Sequence, residues 1–426
     1  MLDIRYIKEN LEAVRENIKN RYVSADADKA VRLYDERNAL IQELDGLRRT
    51  RNENAKKMKG KMPQAERQTL IEEGKKLKQD ISAREKLLED KEKELNQELS
   101  LIPNMTHPNS PIGKDDTENK ELRVAGTIPQ FGFQPKDHTT LGTELDIIDF
   151  ETATKVSGTK FYYLKNQGVF LELALIQFAM MELSKRGFAP FITPDIAKEE
   201  IAEGTGFSPR GEESNIYTLE GTGTCLIGTA EITLGGYYSD NTLEPEQLPI
   251  KLSGLSHCFR REAGAAGQYA KGLYRVHQFT KVEMFILCHP DESAAMHTEL
   301  LEVEESIFSK LGIPYRVVDI CTGDLGGPAY RKYDLEAWMP GRGESGDWGE
   351  ITSTSNCTDY QARRLNIKVK ENDKKQHVHL LNGTAVAVSR AIVAILENFQ
   401  QQDGSVMVPE ALRPYTGFSK IPAIHT

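Results

Sequence analysis

Cysteine is scarce and scattered. Five thiols, at positions 225, 258, 288, 321 and 357, form no CxxC pair and leave an odd number. That pattern excludes a disulfide framework and points to a reducing compartment. No window approaches the ~18 apolar residues of a membrane span. The opening MLDIRYIKEN has neither the apolar run of a secretory signal nor the acid-poor character of a transit sequence. A cytoplasmic location with no membrane partner is expected. Neither GxGxxG nor a P-loop signature occurs, so any nucleotide must be held by another device. His257 with Cys258, and His377 with His379, lack structural-zinc spacing, and no zinc is expected. Excess positive charge is also missing. The 54 Lys plus Arg against 64 Asp plus Glu leave a formal charge of −10 over 426 residues. This excludes coating nucleic acid with the whole surface, but not a local basic patch. At 39% hydrophobic and 28% charged, the chain is neither disordered nor membrane-embedded. Its length favours two or more domains.

Residues 1–103 lack Phe and Trp, and Pro63 is the one proline in their main part. Residues 27 to 58 read as one long helix, with Val31, Tyr34, Ile41, Leu44 and Leu47 near a 3.5-residue beat. Lys59-Gly60-Lys61-Met62-Pro63 breaks it. A second helix runs from 64 to 100, where Ile81, Leu88, Leu95 and Ile102 recur every seven residues and Leu70 and Leu77 form a neighbouring row. Such repetition predicts a coiled-coil seam, and the short turn predicts an antiparallel hairpin. Its tip is basic: between residues 47 and 79, eleven cations face four anions. Arg48, Arg49, Arg51, Lys56, Lys57, Lys75, Lys76 and Lys78 are the candidate contacts to a nucleic-acid backbone. The segment 47–79 holds no aromatic residue, so phosphate and shape are expected to be read rather than bases.

Residues 104–160 are punctuated by Pro108, Pro111, Pro129 and Pro135 and read as a coil-dominated linker and lead-in. From 161 to 426 apolar, aromatic and glycine residues rise. Lys281–Leu287 reads as a strand; 168–186, 291–311 and 384–400 read as helices. Strands and helices mix without βαβ alternation. An α+β domain is expected, an antiparallel sheet flanked by helices, following the helical arm.

The segment SHCFRREAGAAGQYAKGLYRVHQFTKVEMF spans 256–285. Read bare, it is a hairpin with Arg and Glu at one strand end and Arg275 opening the return strand, which could be an ordinary surface ion pair. Four other features add to it: Gly228-Thr229-Ala230-Glu231, Glu350-Ile351-Thr352-Ser353, the small-residue run Asn382–Arg390 read as a helix start, and Arg186–Pro194. A carboxylate beside hydroxyls, as at 350–353, suits Mg²⁺.

Phe259-Arg260-x-Glu262 followed by Arg275-x-x-x-Phe279 resembles motif 2 of class II aminoacyl-tRNA synthetases. The run ending in Arg390 resembles their motif 3, and Arg186 to Pro194 resembles motif 1, the dimer-forming element, with Pro194 as its key residue. Gly228–Glu231, Phe259–Gly264, His277-Gln278-Phe279, Glu350–Arg364 and the N-terminal arm together resemble the seryl-tRNA synthetase family, over essentially the whole chain. Thr384 stands where that family mostly has Ser, and Ala385 and Ser389 where Gly is usual.

The resemblance implies serine–tRNA ligation in a homodimer: L-serine and ATP give seryl-adenylate and pyrophosphate, then seryl-tRNA. Arg260 is implied to bind the α-phosphate and the serine carboxylate, and Glu262 to orient the adenine amino group. Phe279 and Arg390 are implied to sandwich the adenine, with Arg390 or Arg275 reaching the γ-phosphate. Glu350 and Ser353 are implied to hold Mg²⁺, with Arg261, Ile351 and Thr352 completing the ATP set. Glu283 and Thr384 are implied to bond the serine hydroxyl, while Thr229, Ala230 and Glu231 frame its α-amino group. The arm is implied to contact the long variable arm of tRNA-Ser, and the selenocysteine tRNA is a further implied substrate. Two rivals are a paralogue loading a carrier protein and a non-catalytic RNA-binding scaffold. The basic arm tip weighs against the first, and the intact charged set against the second.

Overall fold

The computed structural model describes residues 1–207, 215–262, 271–371 and 374–424. The chain forms two compact units, Met1–Met105 and Thr106–Thr426.

In the first unit, two short helices, Ile4–Glu9 and Leu11–Asn20, precede α1 (Ala27–Lys57) and α2 (Gln64–Leu101). Asp26 caps α1 by accepting from Lys29 N at 2.8 Å, an interaction worth about 1 kcal/mol. Lys59–Pro63 separates the two helices, as the sequence predicts. The cross-helix ion pairs Lys29–Glu98, Arg37–Glu92 and Arg48–Glu85 climb α1 while descending α2, which fixes an antiparallel pair. The seam differs by one row from the sequence reading. On α1, Leu33, Leu40 and Leu44 are buried, while Val31, Tyr34, Ile41 and Leu47 are half-buried flanks. Two rows one residue apart carry similar apolar content, and only packing against Ile81, Leu95 and Leu99 of α2 selects between them. The eight candidate tip cations are all exposed.

The second unit is built on one eight-stranded sheet. In chain order its strands are β1 (Lys120–Ala125), β2 (Ala189–Ile192), β3 (Ile250–Phe259), β4 (Gln278–Cys288), β5 (Tyr315–Asp319), β6 (Arg331–Met339), β7 (Asp347–Asn356) and β8 (His379–Ala387). The spatial order is β1-β5-β6-β7-β8-β4-β3-β2. All neighbours are antiparallel except β2, which lies parallel to β3. Among its helices, those that frame the site are α3 (Gln167–Ser184), α4 (Ala230–Tyr237), α5 (Ser293–Leu311) and α6 (Val388–Asn398). One face of β4, carrying Val282, Met284 and Ile286, packs under Leu175 of α3, Phe308 of α5 and Ile392 of α6. Its other face is covered at Phe285 and Leu287, where Ala230 and Leu234 of α4 join the cluster. Lys281 and Glu283 lie on that same face beyond the cover, where a cavity opens.

Three readings change. Lys120–Ala125, inside the stretch read as coil, is the edge strand β1 paired with β5; KELRVA holds no proline, and the prolines around it masked the strand. Residues 384–387 belong to β8 rather than to a helix, because both their faces are buried and β4 supplies their hydrogen bonds; the helix starts at Val388. Finally, α3 is an 18-residue helix long and apolar enough, by length and composition, to cross a membrane. Its Leu171, Leu175, Phe178 and Leu183 are buried in the core, which accounts for that apolarity.

Candidate active site

The cavity has a volume of about 210 Å³, and its floor is made by β4, β7 and β8. Two β-bulges shape it. On β7, Thr352 pairs with Leu335 but Glu350 pairs with Glu336, so Ile351 is an extra residue. Residues three apart on a regular strand face opposite ways. The bulge turns Glu350 and Ser353 toward one cavity. On β8, Val386 pairs with Val282 but Thr384 pairs with Glu283, so Ala385 is the extra residue. Thr384 and Ala387 thereby share the cavity with Lys281 and Glu283.

One end of the cavity is acidic. Glu283 is 2% exposed, and its carboxylate forms an ion pair with the buried Lys281. Burial raises its pKa, and Lys281 opposes the rise. Glu231 enters from α4, whose N-cap Thr229 accepts from Glu231 N at 3.2 Å. Glu231 Oε1 accepts from Gln361 Nε2 at 2.7 Å and Asn382 Nδ2 at 2.8 Å. Burial, then the negative Glu283, push its pKa up to about 7. A carboxylate so poised favours a cationic ligand group, whose charge restores the ionised form.

The other end is cationic. Arg260, just past β3, donates from Nε to Gly228 O at 3.3 Å, and its guanidinium lies 5.4 Å from the Phe279 ring centre. Glu262 pairs with Arg275 at 3.3 Å. Arg390, in the first turn of α6, meets Glu350 at 2.9 Å and stacks 4.9 Å from Tyr274. Glu350 is enclosed by protein yet faces open cavity, with 38% of its side chain accessible. Burial alone would raise its pKa; Arg390, Lys332 and Arg260 outweigh burial and hold it well below the usual carboxylate range. Lys332 lines the same wall, 3.3 Å from Asp334, and the nearby carboxylates keep its ammonium charged against burial. Adjacent cations of this kind suit a ligand carrying several anionic oxygens.

Of the residues singled out in the sequence, Thr229, Glu231, Arg260, Glu262, Arg275, Phe279, Glu283, Glu350, Ile351, Thr352, Ser353, Thr384 and Arg390 all line this cavity. Ala230 is buried behind it as the first residue of α4, and Arg261 is exposed beside it. Pro194 follows the edge strand β2 and is exposed, away from the cavity. Ala263 and Gly264 lie outside the described residues. The two groups read as an aromatic and cationic sandwich each have another partner here: Phe279 faces Arg260, and Arg390 faces Tyr274. His257 bonds Asp195 at 2.8 Å while its neighbour Cys258 is buried on the opposite strand face. Sequence reasoning missed Tyr274, Lys281, Lys332 and Asn382, all cavity-lining. The signal for Lys281 was available: Lys and Glu two apart in an otherwise apolar strand share one face.

An ionised carboxylate and a hydroxyl on one wall, Glu350 and Ser353, are hard oxygen donors that fit Mg²⁺. Among the described residues no group of three or more His, Cys, Asp or Glu could hold a metal ion.

Comparison with known proteins identifies the family of the chain. The model of the seryl-tRNA synthetase N-terminal domain matches residues 1–106, and that of the tRNA synthetase class II core domain (G, H, P, S and T) matches residues 217–399. A serine–tRNA ligase of Treponema denticola is 63% identical over 99% of this chain and 100% of its own. One of Borrelia recurrentis is 56% identical over 99% of each chain. The structure of seryl-tRNA synthetase from Pyrococcus horikoshii complexed with ATP superposes with a TM-score of 0.89 at 39% identity, covering 100% of both chains. With its helical arm, antiparallel sheet and cavity of paired cations and acids, the chain belongs to the seryl-tRNA synthetase family of class II aminoacyl-tRNA synthetases.

Proposed function

We infer that this chain is a serine–tRNA ligase whose cavity carries out serine activation and transfer. The observation carrying the site assignment is the meeting of Arg260, Arg390 and Glu350 with Glu231, Glu283 and Thr384 in one cavity of about 210 Å³. ATP takes the cationic end. Arg260 holds the α-phosphate and the serine carboxylate with its planar fork. Glu262 orients the adenine, Phe279 and Arg390 flank it, and Arg275 or Arg390 takes the γ-phosphate. Glu350 and Ser353 hold Mg²⁺, which when bound neutralises phosphate charge. Serine takes the acidic end, its ammonium on Glu231 beside Thr229 and its hydroxyl between Glu283 and Thr384. A serine carboxylate oxygen attacks the α-phosphorus, and the bond to pyrophosphate breaks. The tRNA 3′ hydroxyl then attacks the seryl carbonyl and AMP leaves. Positioning and charge neutralisation suffice, and no side chain acts as nucleophile.

Beyond the cavity, the exposed cations of the α1–α2 tip favour the long variable arm of tRNA-Ser as their partner. Apolar side chains exposed on α3 and β2, including Phe170 at 54%, Leu173 at 55% and Ile192 at 82%, favour a homodimer formed through the Pro194 region. Five buried free thiols suit a reducing cytoplasm. Neither the carrier-protein reading nor the scaffold reading gains support, since the relatives above are serine–tRNA ligases over nearly the whole chain.

Pyrophosphate exchange with serine, threonine, alanine and glycine tests the activity, together with tRNA charging. Serine alone should drive rapid exchange, and Arg260→Ala should abolish it. Wild-type exchange in that variant would sink the role of Arg260. Deleting residues 35–95 should abolish charging while exchange persists; surviving charging would refute the arm's partner.

A further inference from the structure

We propose that Tyr274 and Arg342 are positioning residues for the activation step: together they fix the backbone and guanidinium geometry of the Glu350–Arg390 pair from behind the cavity. This deepens the function above and rests on the roles given there to Glu350 and Arg390.

Tyr274 is a shared wall. It lines the main cavity and also a second cavity of about 180 Å³ behind it, bordered by His138, Lys271, Arg342 and Glu397. Two guanidiniums approach its ring, Arg390 at 4.9 Å from the ring centre and Arg342 at 5.0 Å. Cation–π interactions of this kind strengthen where water is excluded. Its hydroxyl donates to the backbone carbonyl of Glu350 at 3.0 Å. Arg390 Nη1 donates to that same carbonyl at 3.1 Å, and Arg390 Nε to the carbonyl of Tyr274 at 3.4 Å. Tyr274, Glu350 and Arg390 thus form a closed ring of hydrogen bonds and cation–π contact, and Arg342 joins it through the Tyr274 ring.

Arg342 belongs to Gly341–Trp348, a polar, glycine-rich segment that the reaction itself leaves unexplained. Two glycines in and beside it have a steric reason. A Cβ on Gly349, the residue before Glu350, would collide with Arg342 Nη1, and one on Gly346 (φ +87°) would sit 2.5 Å from the Trp338 ring. The backbone is bare where the guanidinium docks. The segment is also tied to α6: Gly341 N donates to Glu397 Oε2 at 2.8 Å, while Glu397 Oε1 accepts from His138 N at 3.0 Å. Glu397 lies seven residues, two helical turns, beyond Arg390. One face of α6 therefore holds the Arg342 turn with Glu397 and the Glu350 strand with Arg390. The side chain of Arg342 acts through Tyr274, so its removal should loosen the geometry at which phosphate charge is met and leave the serine pocket as it is.

The test is serine-dependent pyrophosphate exchange in Arg342→Met, which keeps the apolar stem, with Arg342→Lys, Tyr274→Phe and Arg390→Ala alongside. Rates are normalised to active sites titrated by the adenylate burst, so unfolded protein is not counted. Turnover in Arg342→Met should fall on the order of tenfold, since small misplacements of reacting groups are costly. KM for serine should change less than about twofold, the split expected when an interaction made only in the transition state is removed. Arg342→Lys should recover most of the turnover, and Tyr274→Phe should show a smaller loss of the same kind. Wild-type turnover in Arg342→Met while Arg390→Ala is inactive would overturn this inference alone. So would a loss carried by KM for serine with turnover intact. Full activity in Arg390→Ala would bring down the parent reading and this one with it.

Discussion

Arg390 Nη1 stands 2.9 Å from Glu350 Oε1 and also donates to the Glu350 backbone carbonyl. One nitrogen thereby fixes both the carboxylate and the strand that bears it. Glu350→Gln keeps the shape and removes the charge. Its exchange rate should fall by about 10²–10³, the usual loss when one preorganised electrostatic group is removed. The Mg²⁺ concentration for half-maximal rate should rise as well. Exchange rates titrated against Mg²⁺ check both.

Glu231 gives a pH signature. Its pKa is raised to about 7 by burial and by Glu283. Below that value the carboxyl is protonated and offers no charge to the serine ammonium; above it the anion is ready. KM for serine should therefore rise as pH falls through 7, by up to about tenfold per unit, and level off above it. Glu231→Gln should bind serine weakly and lose this dependence. Exchange kinetics from pH 5.5 to 8.5 decide it.

Thr384 and Glu283 face each other across β8 and β4, both buried at the acidic end. Thr384→Val keeps the volume and removes the hydroxyl. The kcat/KM for serine should drop by about tenfold or more, the worth of a hydrogen bond in a charged setting. The ratio of serine to alanine turnover should narrow, because the site then lacks a partner that only a hydroxyl satisfies. Parallel exchange assays with the two amino acids measure it.

Neutralising Arg49, Arg51, Lys56 and Lys57 together should weaken tRNA charging at physiological salt by at least about tenfold. The dependence of charging on salt should flatten by about 0.7–0.9 in log–log slope for each phosphate no longer neutralised. Exchange, which needs no tRNA, is the internal comparison.

Much of this was legible in the chain, for identifiable reasons. The arm follows from repetition: leucine or isoleucine every seven residues from Ile81 to Ile102 and one Gly/Pro break left few alternatives to α1 and α2. Which row forms the seam was not legible, because Leu33 and Tyr34 differ by one position and only the facing helix chooses. Glu283 and the other charged residues named for the cavity were reached through the motifs of the resemblance; the strand pattern of Lys281 and Glu283, two charges in an apolar run, was a signal left unread. Tyr274 gave no such signal: an aromatic residue next to an arginine has no distinguishing pattern, and its role depends on Arg342 and Arg390 arriving from elsewhere in the chain. Lys332 escaped as well, since RKYDLEAWM alternates like any half-exposed strand although it lies inside the sheet. The strand at Lys120–Ala125 was hidden by flanking prolines, and the switch from β8 to α6 by a run of small residues compatible with both.

The extra residue at Ile351 converts an odd interval into an even one. A glutamate and a serine three positions apart would serve opposite sides of an unbroken pleat, so this pair of oxygens cannot be transplanted by copying their identities and spacing alone. A ligand set borrowed for a designed sheet must bring its irregularity along, and trimming that one position would turn a shared wall into two unrelated surfaces.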